Sequence, residues 1–232
     1  MLKISELAAG YGSAQILNGV DFQLGNREIV ALLGRNGVGK TTLLKTIMGI
    51  VSPTRGSVLV EAADVTRWPT FQIAKMGVAY VPQGRGIFGK LTVEENLKMG
   101  LRASSDTKAE IPDFIFKEFP VLDERRTQIA GTLSGGQKQQ LAISRALCSN
   151  PKILLLDEPS EGIQPNIVHD IGVFLRRLVK ERDISVLVVE QNLELVHLAS
   201  DRFEIMVKGE IVHKGAMKEL SDEQLLKKYL SV

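Results

Sequence analysis

Gly34-Arg35-Asn36-Gly37-Val38-Gly39-Lys40-Thr41 is the stretch that decides the fold. It fits G-x-x-x-x-G-K-[ST], and its setting matters as much as its spelling: apolar Ile29–Leu33 reads as a strand before it, and Lys40–Met48 as a helix after it. In that setting the glycines let the chain curl until successive N–H groups point inward at phosphate oxygens, and the helix N-terminus adds its dipole. Lys40 then reaches the outer phosphates, and the Thr41 hydroxyl is a candidate Mg²⁺ ligand.

Working outward, short apolar runs alternate with longer helical patterns. Strands are predicted at Glu28–Leu33, Gly77–Val81, Lys152–Asp157, Ile184–Val189 and Phe203–Val207. Helices are predicted at Lys40–Met48, Val93–Met99, Gln137–Cys148, Ile167–Arg182, Leu193–Ala199 and Glu223–Leu230, with Thr92 and Glu95 spaced as a capping box. Such alternation specifies an α/β fold with a parallel sheet. Before Glu28 the pattern changes to Leu2–Leu7 and Val20–Leu24, separated by a turn at Gly10–Gly12 and resuming near Val58–Val60, so an antiparallel β layer is expected beside the core. Residues 91–133 are helical in pattern and interrupt the strands, as an inserted helical subdomain does. Arg102–Glu110 is polar and reads as a surface connection.

The chain has 232 residues, 44% of them hydrophobic and 24% charged, which excludes disorder as the whole answer. Its net charge of +2 is too mild to mark a nucleic-acid binder, and none is expected as a partner. Apolar runs reach four or five residues where a membrane span needs about 20, so a soluble chain without a secretory leader is expected. The single cysteine, Cys148, cannot form an internal disulfide and fits a reducing compartment.

Ile153-Leu154-Leu155-Leu156-Asp157-Glu158 is an apolar strand ending in two carboxylates. Downstream of a phosphate loop it reads as a Walker B element, with Asp157 serving Mg²⁺ and Glu158 polarising the attacking water. Strand alternation is expected to separate the two acids, because consecutive side chains leave on opposite sides. Leu133-Ser134-Gly135-Gly136-Gln137 supplies a second glycine-opened helix start, able to receive an anion. That pentad, about twenty residues before Walker B, resembles the signature of ABC-type ATPases, and the motif order matches that family along the chain.

The resemblance implies a P-loop NTPase core in one ATPase domain over residues 1–232, binding ATP and Mg²⁺. Phosphate contacts fall on Gly34, Arg35, Asn36, Gly37, Val38, Gly39, Lys40, Thr41 and Thr42, and Tyr11 resembles the aromatic that stacks on adenine. Ser134, Gly135, Gly136 and Gln137 face a nucleotide held by a second ATPase subunit. Mg²⁺ falls to Thr41, Gln83 and Asp157, and catalysis to Glu158, Gln83 and Gln191. Arg85–Phe88 resembles the surface that couples to a membrane subunit. Two positions depart from the family pattern: the switch position, usually histidine, is Gln191, and the D-loop aspartate is replaced by Gln164 in Glu161-Gly162-Ile163-Gln164. His169, His197 and His213 are not assigned as ligands.

Within the family, the chain resembles the smaller ATPase subunit of branched-chain amino-acid importers and its relative in urea importers. The spellings Arg35-Asn36-Gly37-Val38-Gly39 and Glu161-Gly162-Ile163-Gln164-Pro165 favour the urea member, with the amino-acid importer as the alternative. Implied partners are a sister ATPase subunit in a heterodimer, two integral-membrane permease subunits and, indirectly, a periplasmic or extracellular solute-binding protein. The implied location is peripheral, at the cytoplasmic face of the inner membrane. ABC ATPases of DNA repair or translation form a different class, marked by a long coiled coil or a second Walker A loop, and neither pattern is found.

Overall fold

Every residue of Ile29–Leu33, Ile153–Asp157 and Ser185–Glu190 is buried, a pattern accommodated by a sheet covered on both faces. The computed structural model describes residues 1–104 and 108–230. In chain order the elements are β1 (Leu2–Tyr11), β2 (Ala14–Leu24), β3 (Ile29–Leu33), α1 (Lys40–Ile47), β4 (Pro53–Val60), β5 (Ala63–Asp64), α2 (Thr70–Lys75) and β6 (Val78–Val81). Next come α3 (Val93–Leu101), α4 (Asp113–Glu118), α5 (Pro120–Glu124), α6 (Gly135–Leu147), β7 (Ile153–Asp157), α7 (Pro165–Glu181), β8 (Ser185–Glu190), α8 (Leu193–Ala199), β9 (Arg202–Val207), β10 (Glu210–Ala216) and α9 (Glu223–Tyr229).

The larger sheet has the order β10-β9-β3-β8-β7-β6, parallel throughout except for β10 at its edge. The smaller sheet, β2-β1-β4-β5, is antiparallel. Alternation along the central strands feeds two cores. Ile153, Leu155, Leu187 and Val189 pack with α1 and the smaller sheet, whereas Leu154, Leu156, Val186 and Val188 pack with α3, α6 and α7. The phosphate-loop helix α1 is thereby enclosed between two sheets, and Leu43, Leu44 and Ile47 are completely buried.

The structure adds to and corrects the sequence reading. The hairpin turn lies at Gly12–Ser13, not across Gly10–Gly12, because β1 continues to Tyr11. Gly10 pairs with Gln15 so closely that a Cβ there would lie 2.0 Å from the Ala14 carbonyl oxygen. The unpredicted β10 is an edge strand with no buried residue, so it carries little apolar signal. Helix α2 is likewise unpredicted and buries only Ile73. Of the polar connection at Arg102–Glu110, residues 105–107 lie outside the described residues.

Between β6 and α6 the chain runs through α3, α4, α5 and a short 3₁₀ turn at Ala130–Thr132. Thr92 and Glu95 cap α3 reciprocally. One turn in, the fully buried Asn96 accepts from Phe88 N (2.8 Å) and donates to Phe88 O (3.0 Å) and Thr92 O (2.9 Å). Both amide ends are satisfied, and Phe88 is held 45% exposed. Asn96→Ala is expected to lower unfolding free energy by about 1–3 kcal/mol, read by urea denaturation, because it leaves the Phe88 backbone pair without partners.

Cys148, just after α6, is buried, and burial pushes its thiol up to about 12. The native protein should therefore resist a thiol-reactive dye near pH 8 and react fully once unfolded, as absorbance can follow.

Candidate active site

The parallel strands deliver their C-terminal ends to one edge, and the predicted phosphate-loop residues, Gln83, Asp157, Glu158 and Gln191 meet there. Gly34 leaves β3 where a Cβ would lie 2.6 Å from Met206 O and 2.9 Å from Val38 Cγ2, so only glycine fits. Gly39, at the N-cap of α1, has φ +115°, a value glycine adopts freely. Arg35, Asn36 and Gly37 are exposed at the crest, Val38 is half-buried, and Thr42 is buried one residue beyond Thr41 in α1.

Lys40 Nζ donates to Gly34 O (2.7 Å) and Arg35 O (3.0 Å) and lies 3.5 Å from Glu158 Oε1. Burial pulls its ammonium below the usual lysine value, opposed chiefly by the Glu158 carboxylate. Thr41 Oγ1 donates to Asp157 Oδ1 (3.0 Å), and Tyr80 Oη donates to Asp157 Oδ2 (3.0 Å). Burial pushes the Asp157 carboxyl above its ordinary range, and the two hydroxyls oppose that shift. The Tyr80 phenol is also raised, first by burial and then by Asp157.

Glu158 is the meeting point. Its Oε2 accepts from Gln83 Nε2 (3.3 Å), and its Oε1 accepts from Gln191 Nε2 (3.0 Å). Gln191 Nε2 also donates to Asn36 Oδ1 (2.6 Å), so it bridges the loop crest and the carboxylate. The neighbouring acids do not differ for the reason expected from the sequence. Asp157 obeys strand alternation and points to α1, but Glu158 has left the strand: its φ is +49°, and only its N–H continues the ladder, to Val189 O at 2.9 Å. A left-handed turn aims this side chain.

The remaining predicted residues lie elsewhere. Tyr11 ends β1 at 49% exposure, which suits a stacking role and excludes a core one. Ser134 and Gln137 are engaged in a capping box at α6, with Gln137 N donating to Ser134 Oγ (3.3 Å) and Ser134 N to Gln137 Oε1 (3.0 Å). Gly135 and Gly136 pack toward Gly162, Ile163 and Ile167, not toward the phosphate loop. Arg85, at φ +73°, donates from Nη2 to Glu161 O (3.0 Å) and so fastens the segment after Walker B to the loop of Gln83.

Two contributors escaped the sequence reading. Tyr80 gave no signal beyond its strand. Glu190 was legible only as the residue before Gln191, yet its carboxylate accepts from Ser160 N (2.8 Å), Gln191 N (2.8 Å) and Asn192 N (3.0 Å).

A family model described as ABC transporter matches residues 17–161, which contain the phosphate loop, Gln83, the Ser134–Gln137 turn and Glu158. The chain belongs to the ABC transporter family. It is 40% identical to the high-affinity branched-chain amino acid transport ATP-binding protein BraG of Pseudomonas aeruginosa, over 99% of each chain. It is 36% identical to the probable branched-chain amino acid transport ATP-binding protein LivF of Archaeoglobus fulgidus, over 98% of this chain and 97% of that one. The lipopolysaccharide export ATP-binding protein LptB of Haemophilus influenzae is 34% identical, over 99% and 97% respectively. Among solved structures, the ADP conformation of the MJ1267 ATP-binding cassette superposes with a TM-score of 0.84 at 28% identity, over 100% of this chain and 99% of that one.

This member of the ABC transporter family is an ATPase. Gln191 lies beyond the stretch matched by the family model, and only the folded geometry brings it to Glu158. Replacing Glu158 by Gln keeps the shape but removes the carboxylate expected to act as the base. Turnover should fall roughly 10²–10⁴-fold while ATP affinity is retained, as phosphate release and calorimetry measure.

Proposed function

We propose that this ATPase energises a membrane importer of branched-chain amino acids. The observation that carries the reading is the 40% identity with BraG over 99% of both chains. The spellings that favour urea cover two short loop segments, whereas the likeness to BraG and LivF runs the full length, so the amino-acid reading is better supported. A strain lacking this chain should lose uptake of labelled leucine, isoleucine and valine and keep urea uptake. Loss of urea uptake alone would restore the urea reading, and unchanged import of both would exclude this importer role.

In the proposed site, Lys40 and the loop N–H groups hold the triphosphate, and Tyr11 stacks on adenine. Glu158 takes the proton of the attacking water, with Gln83 and Gln191 fixing its two oxygens. Mg²⁺ suits the donors present: Thr41 Oγ1 and Asp157 Oδ1 are adjacent hard oxygens, and Gln83 follows β6 at the same edge. Such a site uses few protein ligands because the phosphates complete the coordination.

Residues 1–232 read as one ATPase domain carrying a helical subdomain over about 91–133. Its membrane partners, two permease subunits served by a solute-binding protein, would meet it at the cytoplasmic face. Exposed Phe88, Ile50 and Met99 surround a mostly apolar cavity of about 340 Å³ with Arg145 in its wall, which suits a short amphipathic permease element.

Pairing is supported by the signature turn, whose Gly135 and Gly136 lie beside Gly162 and Ile167 of their own chain and not against its phosphate loop, as a turn serving a second subunit's nucleotide would. Two copies of this chain would put glutamine at both switch positions, and a sister ATPase with histidine would supply one site with an imidazole. Reconstituted transporter containing this chain and its sister should show higher solute-stimulated ATPase activity than transporter containing this chain alone. Equal activity would refute the heterodimer.

A further inference from the structure

Where β7 and β8 end, the last ladder contact is Glu158 N to Val189 O at 2.9 Å, and beyond it two loops leave the sheet without strand pairing. Their backbone N–H groups need acceptors. Glu190, only 2% exposed, supplies them: Oε1 accepts from Ser160, and Oε2 from Gln191 and Asn192. One side chain thereby fastens the segment two residues past Glu158 to the residue whose amide meets Glu158. Asn192 extends the clamp by capping α8, accepting from Glu194 N (2.9 Å) and Leu195 N (3.2 Å).

We infer that Glu190 is a positioning residue for ATP hydrolysis, a buried carboxylate clamp that fixes the spacing between Glu158 and Gln191 and anchors the start of the Glu161–Gln164 loop. It acts through these groups and forms no hydrogen bond to Lys40 or Thr41 among the described residues, although its charge reaches the Lys40 ammonium, where it is the last of four carboxylate effects favouring the charged form. The inference rests on the reading of Glu158 and Gln191 as the hydrolytic pair.

The test uses the assembled transporter and steady-state ATPase kinetics. Glu190→Gln keeps the volume but turns an NH₂ toward backbone donors, so kcat should fall about 10–10²-fold, the scale on which small misplacements act. KM for Mg-ATP should stay within about threefold, since Glu190 forms no hydrogen bond to the phosphate loop and its charge is only a minor influence on Lys40. Glu190→Asp keeps both oxygens with a shorter reach and should recover part of the lost turnover. It also serves if the Gln variant fails to fold, which near-UV circular dichroism reports. Combined with Gln191→Ala, Glu190→Gln should cost little beyond the slower single variant, because both act on one element. Wild-type kcat in Glu190→Gln, or strictly additive losses in the double variant, overturns the clamp. Glu158→Gln run alongside separates the two readings: wild-type turnover there removes the hydrolytic pair itself.

Discussion

Strand register is the constraint on which everything at the site depends. Leu33 pairs with Glu190 and Asp157 with Val189, so β3, β8 and β7 finish within a residue of one another. Parallel strands then release the phosphate loop, the Asp157–Glu158 pair and Gln191 from the same edge, where open α/β sheets place their ligands. The two cores enforce that register. A one-residue slip of β7 would swap Leu154 and Leu156 with Ile153 and Leu155 between the helical and β-layer cores, and would turn Asp157 away from Thr41.

Three carboxylates crowd this edge, and each is stabilised differently. Asp157 is met by two hydroxyls, Glu158 by two side-chain amides and the buried Lys40, and Glu190 by backbone N–H groups. Amides and hydroxyls rotate or yield at small cost, whereas backbone donors are fixed by the chain. The acid proposed as a clamp is thus bound by the rigid partners, and the acid proposed as the base by adjustable ones. Lys40 follows the same logic, since its loop carbonyls are neutral acceptors that an anion can outcompete.

Much of this was legible in the sequence because loop chemistry writes itself in residue types. Gly34, Gly39, Lys40 and Thr41 are the residues the turn demands, and the buried strands stand out as unbroken apolar runs. What escaped was set by three-dimensional neighbours. Edge strand β10 buries nothing and so has no apolar code. The turn after Gly10 shifted because Gly10 itself pairs with Gln15 so closely that no Cβ fits, a cross-strand fact. Glu158 looked like one more strand position until its φ placed it in the left-handed region. Glu190 reads as an acid beside a glutamine, and only the neighbouring loop at Ser160 gives it work.

The proposed coupling to a membrane subunit has a short physical path. Gln83, which touches Glu158, and Phe88, which faces the apolar cavity, lie on one loop five residues apart. That loop is not slack: Gly84, Arg85 and Gly86 all have positive φ, Arg85 ties it to Glu161, and Asn96 pins Phe88 at both backbone groups. A displacement at Phe88 is thus linked by these bonds to both Gln83 and the Glu161–Gln164 segment. Because Glu158 is held by Gln83 on one oxygen and Gln191 on the other, displacement of that loop changes the hydrogen bonding of one carboxylate oxygen and leaves the other in place. Docking would then adjust Glu158 while leaving helix α1, which is enclosed between the two sheets, undisturbed.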